Sequence, residues 1–249
     1  MEQVHRFEDK LLSITIPKES SFGEKLPLLY VLDGNAFGPL VTQTILLQTR
    51  NSPKTGVWPA MIVSIGYDTK DAFQRDARFN DYTPERIHSV LQEELDMPNG
   101  GGLATFQKQL LRIHEHIGRH YQIDNEKVGL LGHSLGGLCV LESYLEIVRL
   151  PFITDFLAIS PSLWWDECAF FDRLETQSSI SDKRLFIAVE NDHGKMETLA
   201  ERCYNILCQG ISEKQISFYI GPEENHMSIV FTALSRILRW FFQKENANE

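Results

Sequence analysis

The sequence predicts an α/β fold: a mostly parallel sheet with helices on both faces, formed by a single domain over residues 1–249. Three observations carry this expectation. Short apolar, β-branched runs alternate with longer segments whose apolar residues recur at helical spacing. Most of the short runs are continuously apolar, as strands buried on both faces require. No internal repeat, low-complexity run or obvious linker interrupts the pattern.

The elements follow in order. Leu11–Ile16 alternates and stops at Pro17, the pattern of an edge strand. Pro27–Leu32 and Pro59–Ile65 are of buried-strand type, and Val128–Leu131, Phe156–Ile159, Leu185–Val189 and Ile216–Ile220 continue the series. Phe106, Leu110, Leu111, Ile113 and Ile117 mark one helix, and Leu135, Leu138, Leu141, Leu145 and Val148 a second. Lys195–Leu207 and Ile229–Phe242 mark two more. Residues 66–102 fit less well, with Gly66, Pro84, Pro98 and Gly100-Gly101-Gly102 among scattered charges. They read as a long, partly irregular insertion of the kind that forms a substrate-binding lip.

Composition narrows the function classes. With 43% hydrophobic and 23% charged residues the chain is of globular type, and no apolar run reaches the length that spans a bilayer. Met1-Glu2-Gln3-Val4-His5-Arg6 lacks a secretory pattern, so a cytoplasmic location is expected. A net charge of −10 argues against nucleic acid and anionic membranes as partners. Cys139, Cys168, Cys203 and Cys208 match no zinc or redox spacing and read as reduced structural thiols, Cys139 as core. His116 and His120 are four apart but lack the glutamate of a metalloprotease motif. Nothing calls for a metal or an organic cofactor, and the oligomeric state is open.

The strongest local signal is Gly132-His133-Ser134-Leu135-Gly136-Gly137, between a strand pattern and a helical one. A serine on a sharp strand-to-helix turn exposes its hydroxyl, and glycines two residues away on either side leave it room. The helix that follows points its first amides at the place where an oxyanion would develop. The hydroxyl needs a base. His226 follows the last strand across Gly221-Pro222-Glu223-Glu224-Asn225 and opens the final helix, where the base belongs in the order serine, acid, histidine. His133, beside the serine, is expected to pack. After Leu185–Val189, Glu190 and Asp192 both qualify as the acid that fixes the imidazole tautomer, and a Ser–His dyad is the alternative. One oxyanion donor is the Leu135 amide; the other is the amide of Asn35, or of Gly34, after the strand Pro27–Leu32.

Together these residues resemble the esterase D-like branch of the α/β-hydrolases, closest to the esterases that open catecholate siderophore trilactones. The matching blocks are Tyr30-Val31-Leu32-Asp33-Gly34-Asn35-Ala36-Phe37, Asp81-Tyr82-Thr83-Pro84 preceded by Arg78, Gly101-Gly102, the Ser134 elbow, Ser160-Pro161-Ser162-Leu163-Trp164-Trp165 and Asn225-His226-Met227-Ser228. The elbow alone is widespread; the Asp-Gly-Asn, Asp-Tyr-Thr-Pro and Ser-Pro-Ser-Leu-Trp-Trp blocks are more specific.

The resemblance implies an α/β-hydrolase fold and a serine ester hydrolase working through an acyl-enzyme on a small-molecule ester, with a ferric catecholate siderophore as the substrate it points to. It favours Asp192 over Glu190, although Val189 stands where the family carries glycine. It offers Arg78 as a substrate-binding residue, against a pairing with Asp76 or Asp81. Trp164 and Trp165 follow the strand Phe156–Ile159 at its carboxyl end, where α/β sites form, so one of them offers an aromatic wall, against packing in the cap. An acyltransferase, and a non-catalytic ligand-binding protein on the same scaffold, are the rival readings.

Overall fold

Strands that bury both faces dictate a layered molecule, and the computed structural model has that form. It describes residues 2–17, 25–88, 96–177, 183–191 and 193–243. Eight strands make one sheet: β1 (Glu2–Phe7), β2 (Lys10–Thr15), β3 (Leu26–Val31), β4 (Met61–Tyr67), β5 (Ile123–His133), β6 (Asp155–Ile159), β7 (Arg184–Glu190) and β8 (Ile216–Gly221). Their spatial order is β1-β2-β4-β3-β5-β6-β7-β8. From β4 to β8 the pairings are parallel, while β1–β2 and β2–β4 are antiparallel.

The helices are α1 (Gly34–Gln48), α2 (Ser52–Thr55), α3 (Arg75–Tyr82), α4 (Leu103–His120), α5 (Leu135–Leu145), α6 (Trp165–Thr176), α7 (Lys195–Leu207) and α8 (Ser228–Phe242). The period-two alternation of side chains assigns each strand residue to one of two cores. Leu28, Tyr30, Val128, Leu130, Phe156, Ala158, Leu185 and Ile187 join the core under α4 and α5. Leu29, Val31, Leu131, Leu157, Ile159, Phe186 and Ala188 join the core under α1 and α8. None of the described helices is long and apolar enough to cross a membrane.

The sequence places β2 to β8 and α4, α5, α7 and α8 closely; α1, α2 and α6 go unpredicted, and two further differences stand out. The β2 strand is not the edge: β1 pairs along its whole length and takes that place. That strand, Glu-Gln-Val-His-Arg-Phe, alternates between exposed and half-buried residues and has no apolar core run by which it could be recognised. The 66–102 stretch also holds more order than expected, since it contains the end of β4 and all of α3. Its residues 89–95 lie outside the described residues.

Parallel pairing brings the strand ends level. Val31 is in register with Leu131, His133 with Ile159, Ile159 with Ala188, and Glu190 with Gly221. Loops leaving the carboxyl ends of β3, β5, β6, β7 and β8 therefore meet at one edge of the sheet, where ligand sites of open α/β folds form.

Candidate active site

The site is built outward from the turn between β5 and α5. Ser134 links them with φ 60° and ψ −118°. A non-glycine residue in such a conformation costs on the order of 1–3 kcal/mol. Close packing holds it there: a Cβ on Gly132 would lie 2.3 Å from the Gly136 carbonyl oxygen. A Cβ on Gly137 would lie 2.9 Å from the Ile159 carbonyl oxygen. At Gly136 the nearest atom would be at an ordinary 3.5 Å. The second steric requirement therefore falls on Gly137 and not on Gly136, because the turn after β6 presses against it. The Ser134 amide donates to the Ile159 carbonyl (3.0 Å), and the Ser134 Oγ lies 3.1 Å from the Ser162 Oγ.

His226 stands in the turn between β8 and α8, two residues before the helix begins rather than on its first residue. Asn225 Oδ1 shapes that turn by accepting from the Met227 and Ser228 amides, each at 3.0 Å. His226 Nδ1 is 3.1 Å from Glu190 Oε1 and 2.8 Å from Ser160 Oγ. The ring is 41% exposed while the Glu190 side chain is 1% exposed, so a substrate can reach the imidazole but not its carboxylate. Burial acts to raise the Glu190 carboxyl, but hydrogen bonds from His226 and Ser160 outweigh it and hold it below its ordinary value. Asp192, favoured by the resemblance, lies outside the described residues. The carboxylate bonded to His226 is Glu190, the last residue of β7.

His133 packs as expected and also does more. Its Nε2 lies 2.7 Å from the His226 carbonyl oxygen, and the two rings are 4.6 Å apart, which sets His226 beside the elbow. A carbonyl only accepts, so His133 carries its proton on Nε2. Among the described hydrogen bonds, Ser134 Oγ is paired with Ser162 and not with His226. Catalytic hydrogen bonds are often long before substrate arrives.

Burial first, and the neighbouring His226 second, depress the His133 pKa to about 3. Between that value and the ordinary histidine value of about 6.5, the unfolded chain binds a proton that the folded chain refuses. Stability attributable to His133 is thus complete above about pH 6.5 and falls with decreasing pH, by up to about 1.4 kcal/mol per pH unit. Urea unfolding between pH 7 and 5 is expected to show a steeper loss in the native chain than in His133→Gln. Equal slopes would remove His133 as the acid-labile group.

Two helix N-termini face this constellation. Leu135 is the first residue of α5, and Gly34 and Asn35 open α1. First-turn amides have no partner within their own helix and are free to bind an anion. The Asn35 side chain ties α1 to the end of β4: Oδ1 accepts from the Tyr67 amide (2.8 Å), and Nδ2 donates to the Tyr67 and Thr69 carbonyls (2.9 and 3.1 Å). Gly34 has to be glycine, since a Cβ would lie 2.8 Å from the Ile65 backbone. Only 3.5–3.6 Å separate the Cβ that Gly136 would carry from Leu32 and Asp33, so the two helix starts are neighbours.

Arg78 pairs with neither Asp76 nor Asp81. It forms a fork with Asp33, Nε to Oδ1 at 3.0 Å and Nη2 to Oδ2 at 2.7 Å, and lies over the Phe73 ring. Burial keeps the Asp33 carboxyl above its ordinary pKa, against the pull of Arg78's hydrogen bonds and charge. Asp81 instead takes Lys10 Nζ (2.9 Å) and the Tyr67 hydroxyl (2.8 Å). The Tyr82 hydroxyl accepts from the Asp33 amide (3.0 Å), and the Thr83 carbonyl accepts from Gly101 and Leu103. The Asp-Tyr-Thr block thus braces the wall beside the α1 terminus.

The two tryptophans separate. Trp165 is 1% exposed, covered by Arg86 at 3.9 Å and by Phe79, so it packs the cap and offers no face to a ligand. Trp164 is half-buried and stays available. Besides it, Met227, next to His226, and Phe231, one turn further along α8, are exposed apolar residues that sequence reasoning did not single out.

The profile of the family described as "Putative esterase" matches residues 8–227. The chain belongs to this esterase family. The esterase is 32% identical over 231 residues to the ferri-bacillibactin esterase BesA of Bacillus subtilis (strain 168), covering 86% of this chain and 78% of that one. It is 34% identical over 151 residues to an apo-salmochelin esterase of Escherichia coli O6:H1, covering 59% of this chain and 45% of that one. Among solved structures it superposes on the BES protein of Bacillus cereus with a TM-score of 0.81 at 28% identity, covering 97% and 95% of the two chains. The esterase thus has the α/β-hydrolase fold, as its strand order already indicates.

Proposed function

We propose that the chain hydrolyses the ester bonds of a catecholate siderophore trilactone through an acyl-enzyme on Ser134. The observation that carries this reading is the meeting, at one sheet edge, of a strained serine, a histidine bonded to a buried carboxylate, and two helix N-termini. In the proposed cycle His226 takes the Ser134 proton as the hydroxyl attacks the carbonyl carbon. Glu190 balances the imidazolium that forms. The amides of Leu135 and of Asn35 or Gly34 bind the oxyanion. His226 then protonates the leaving alkoxide, and a water deprotonated by the same ring releases the acid.

The substrate class is supported by the names of the relatives and by the half-buried Trp164, whose ring suits a catechol. Arg78 acts in this reading through Asp33, by fixing the loop that presents the α1 amides, rather than by direct contact with a ligand. Four cysteines without disulfides suit the reducing cytoplasm as the setting.

Turnover of a short p-nitrophenyl ester and of a ferric catecholate trilactone by one preparation tests the proposal. Cleavage of both, with kcat/KM for the trilactone higher by orders of magnitude, is the expected result. Cleavage of the small ester alone keeps the mechanism and removes the siderophore. Transfer of the acyl group to added alcohol in preference to water would make the chain an acyltransferase.

A further inference from the structure

The Ser160-Pro161-Ser162 turn after β6 carries no part of the mechanism above, yet it is bonded to Ser134, to His226 and to β7. Its backbone is tied on both sides. The Ser160 amide donates to the Ala188 carbonyl of β7 (2.7 Å), and the Ser162 amide donates to the Ser134 carbonyl (3.1 Å). Pro161 lies against Gly137 of the elbow, with its Cα 3.0 Å from the position a Cβ there would take. Within this frame Ser160 is fully buried and has φ 44°, in the left-handed region that favours glycine. A serine kept in a glycine conformation invites a role for its hydroxyl. That hydroxyl lies 2.8 Å from His226 Nδ1, closer than the Glu190 carboxylate at 3.1 Å.

We infer that Ser160 is a positioning residue for the base, holding the His226 imidazole with its proton on Nδ1 jointly with Glu190. The inference rests on the reading of His226 as base. The proton arrangement follows from the inventory of donors. An ionised Glu190 only accepts, so the hydrogen between its Oε1 and His226 sits on Nδ1. The Ser160 oxygen is then left with lone pairs toward Nδ1–H, which it shares with Glu190 Oε1. Glu190 therefore selects the tautomer whose Nε2 is free to accept a proton from Ser134, and Ser160 gives Nδ1–H a second acceptor that fixes the ring.

Two variants separate the hydroxyl from the backbone. Ser160→Ala removes the hydroxyl and keeps the strain; Ser160→Gly removes both. Each is expected to lower kcat for a p-nitrophenyl ester by about 10- to 100-fold, the loss of one hydrogen bond to a charged group, with KM nearly unchanged. In proton NMR, the downfield His226 Nδ1–H resonance, assigned by its absence in His226→Gln, is expected to shift or broaden in both. A Ser160→Gly protein with native kcat and an unmoved resonance would overturn the inference. The resonance reads the Ser160–His226 link even in protein that turns over no ester. Failure of the esterase reading is therefore distinguishable from failure of this one.

Discussion

Ser134→Ala is expected to lower kcat on any ester substrate by about four to six orders of magnitude while the chain stays folded. Whatever rate survives reflects binding and the amides of Leu135 and Asn35 or Gly34, which the substitution leaves in place. Stability should respond to the backbone rather than to the hydroxyl. Ser134 holds φ 60°, and alanine gains nothing there. Ser134→Gly adopts the same conformation without strain and is expected to be more stable than the native chain by about 1 kcal/mol, and equally inactive. Urea unfolding paired with initial rates checks both. Native-like turnover in either variant would remove Ser134 as the nucleophile.

The second large effect concerns Arg78. Its fork with Asp33 is almost wholly out of water, with side-chain exposures of 12% and 1%. Such a pair adds little net stability when intact, but removing one partner strands the other as a buried charge. Arg78→Met is expected to cost about 3–5 kcal/mol. Asp33 also caps the start of α1, so activity is expected to fall with stability as the α1 amides proposed to bind the oxyanion lose their support. Arg78→Met combined with Asp33→Asn is expected to recover part of the loss, because it removes the unpaired charge. A single variant within about 1 kcal/mol of the native chain would contradict this account of the pair and reopen Arg78 as a ligand contact.

Much of this architecture is legible in the sequence because burial on both faces leaves a dense signal. Each of the strands β3 to β8 contains a largely apolar run, Val128–Leu131 in the case of β5, and α7 falls on its predicted residues, Lys195–Leu207. The elbow is legible because strand, glycine and helix signals coincide around Ser134. The β1 strand escapes notice because it contributes main-chain hydrogen bonds at an edge, and its Glu-Gln-Val-His-Arg-Phe sequence needs no apolar run for that.

Pairings distant in sequence are hidden for a different reason. Arg78 meets Asp33 across 45 residues, and no local spacing encodes that contact, whereas Asp76 and Asp81 merely lie close along the chain. Trp164 and Trp165 look alike in the sequence. They part company because the cap, through Arg86 and Phe79, closes over only Trp165. Glu190 and Asp192 are equivalent by composition. Glu190 ends β7 and lies 3.1 Å from His226 Nδ1, a placement that no local spacing encodes, while Asp192 lies outside the described residues.

The most direct test of the central claim is mass spectrometry of the chain after reaction with a fluorophosphonate, followed by peptide mapping. One phosphonyl adduct, on Ser134, is expected to form quickly in the native chain and far more slowly in His226→Ala. A folded protein that acquires no adduct, or acquires it on a different serine, would contradict Ser134 as the activated nucleophile and with it the assignment of this site.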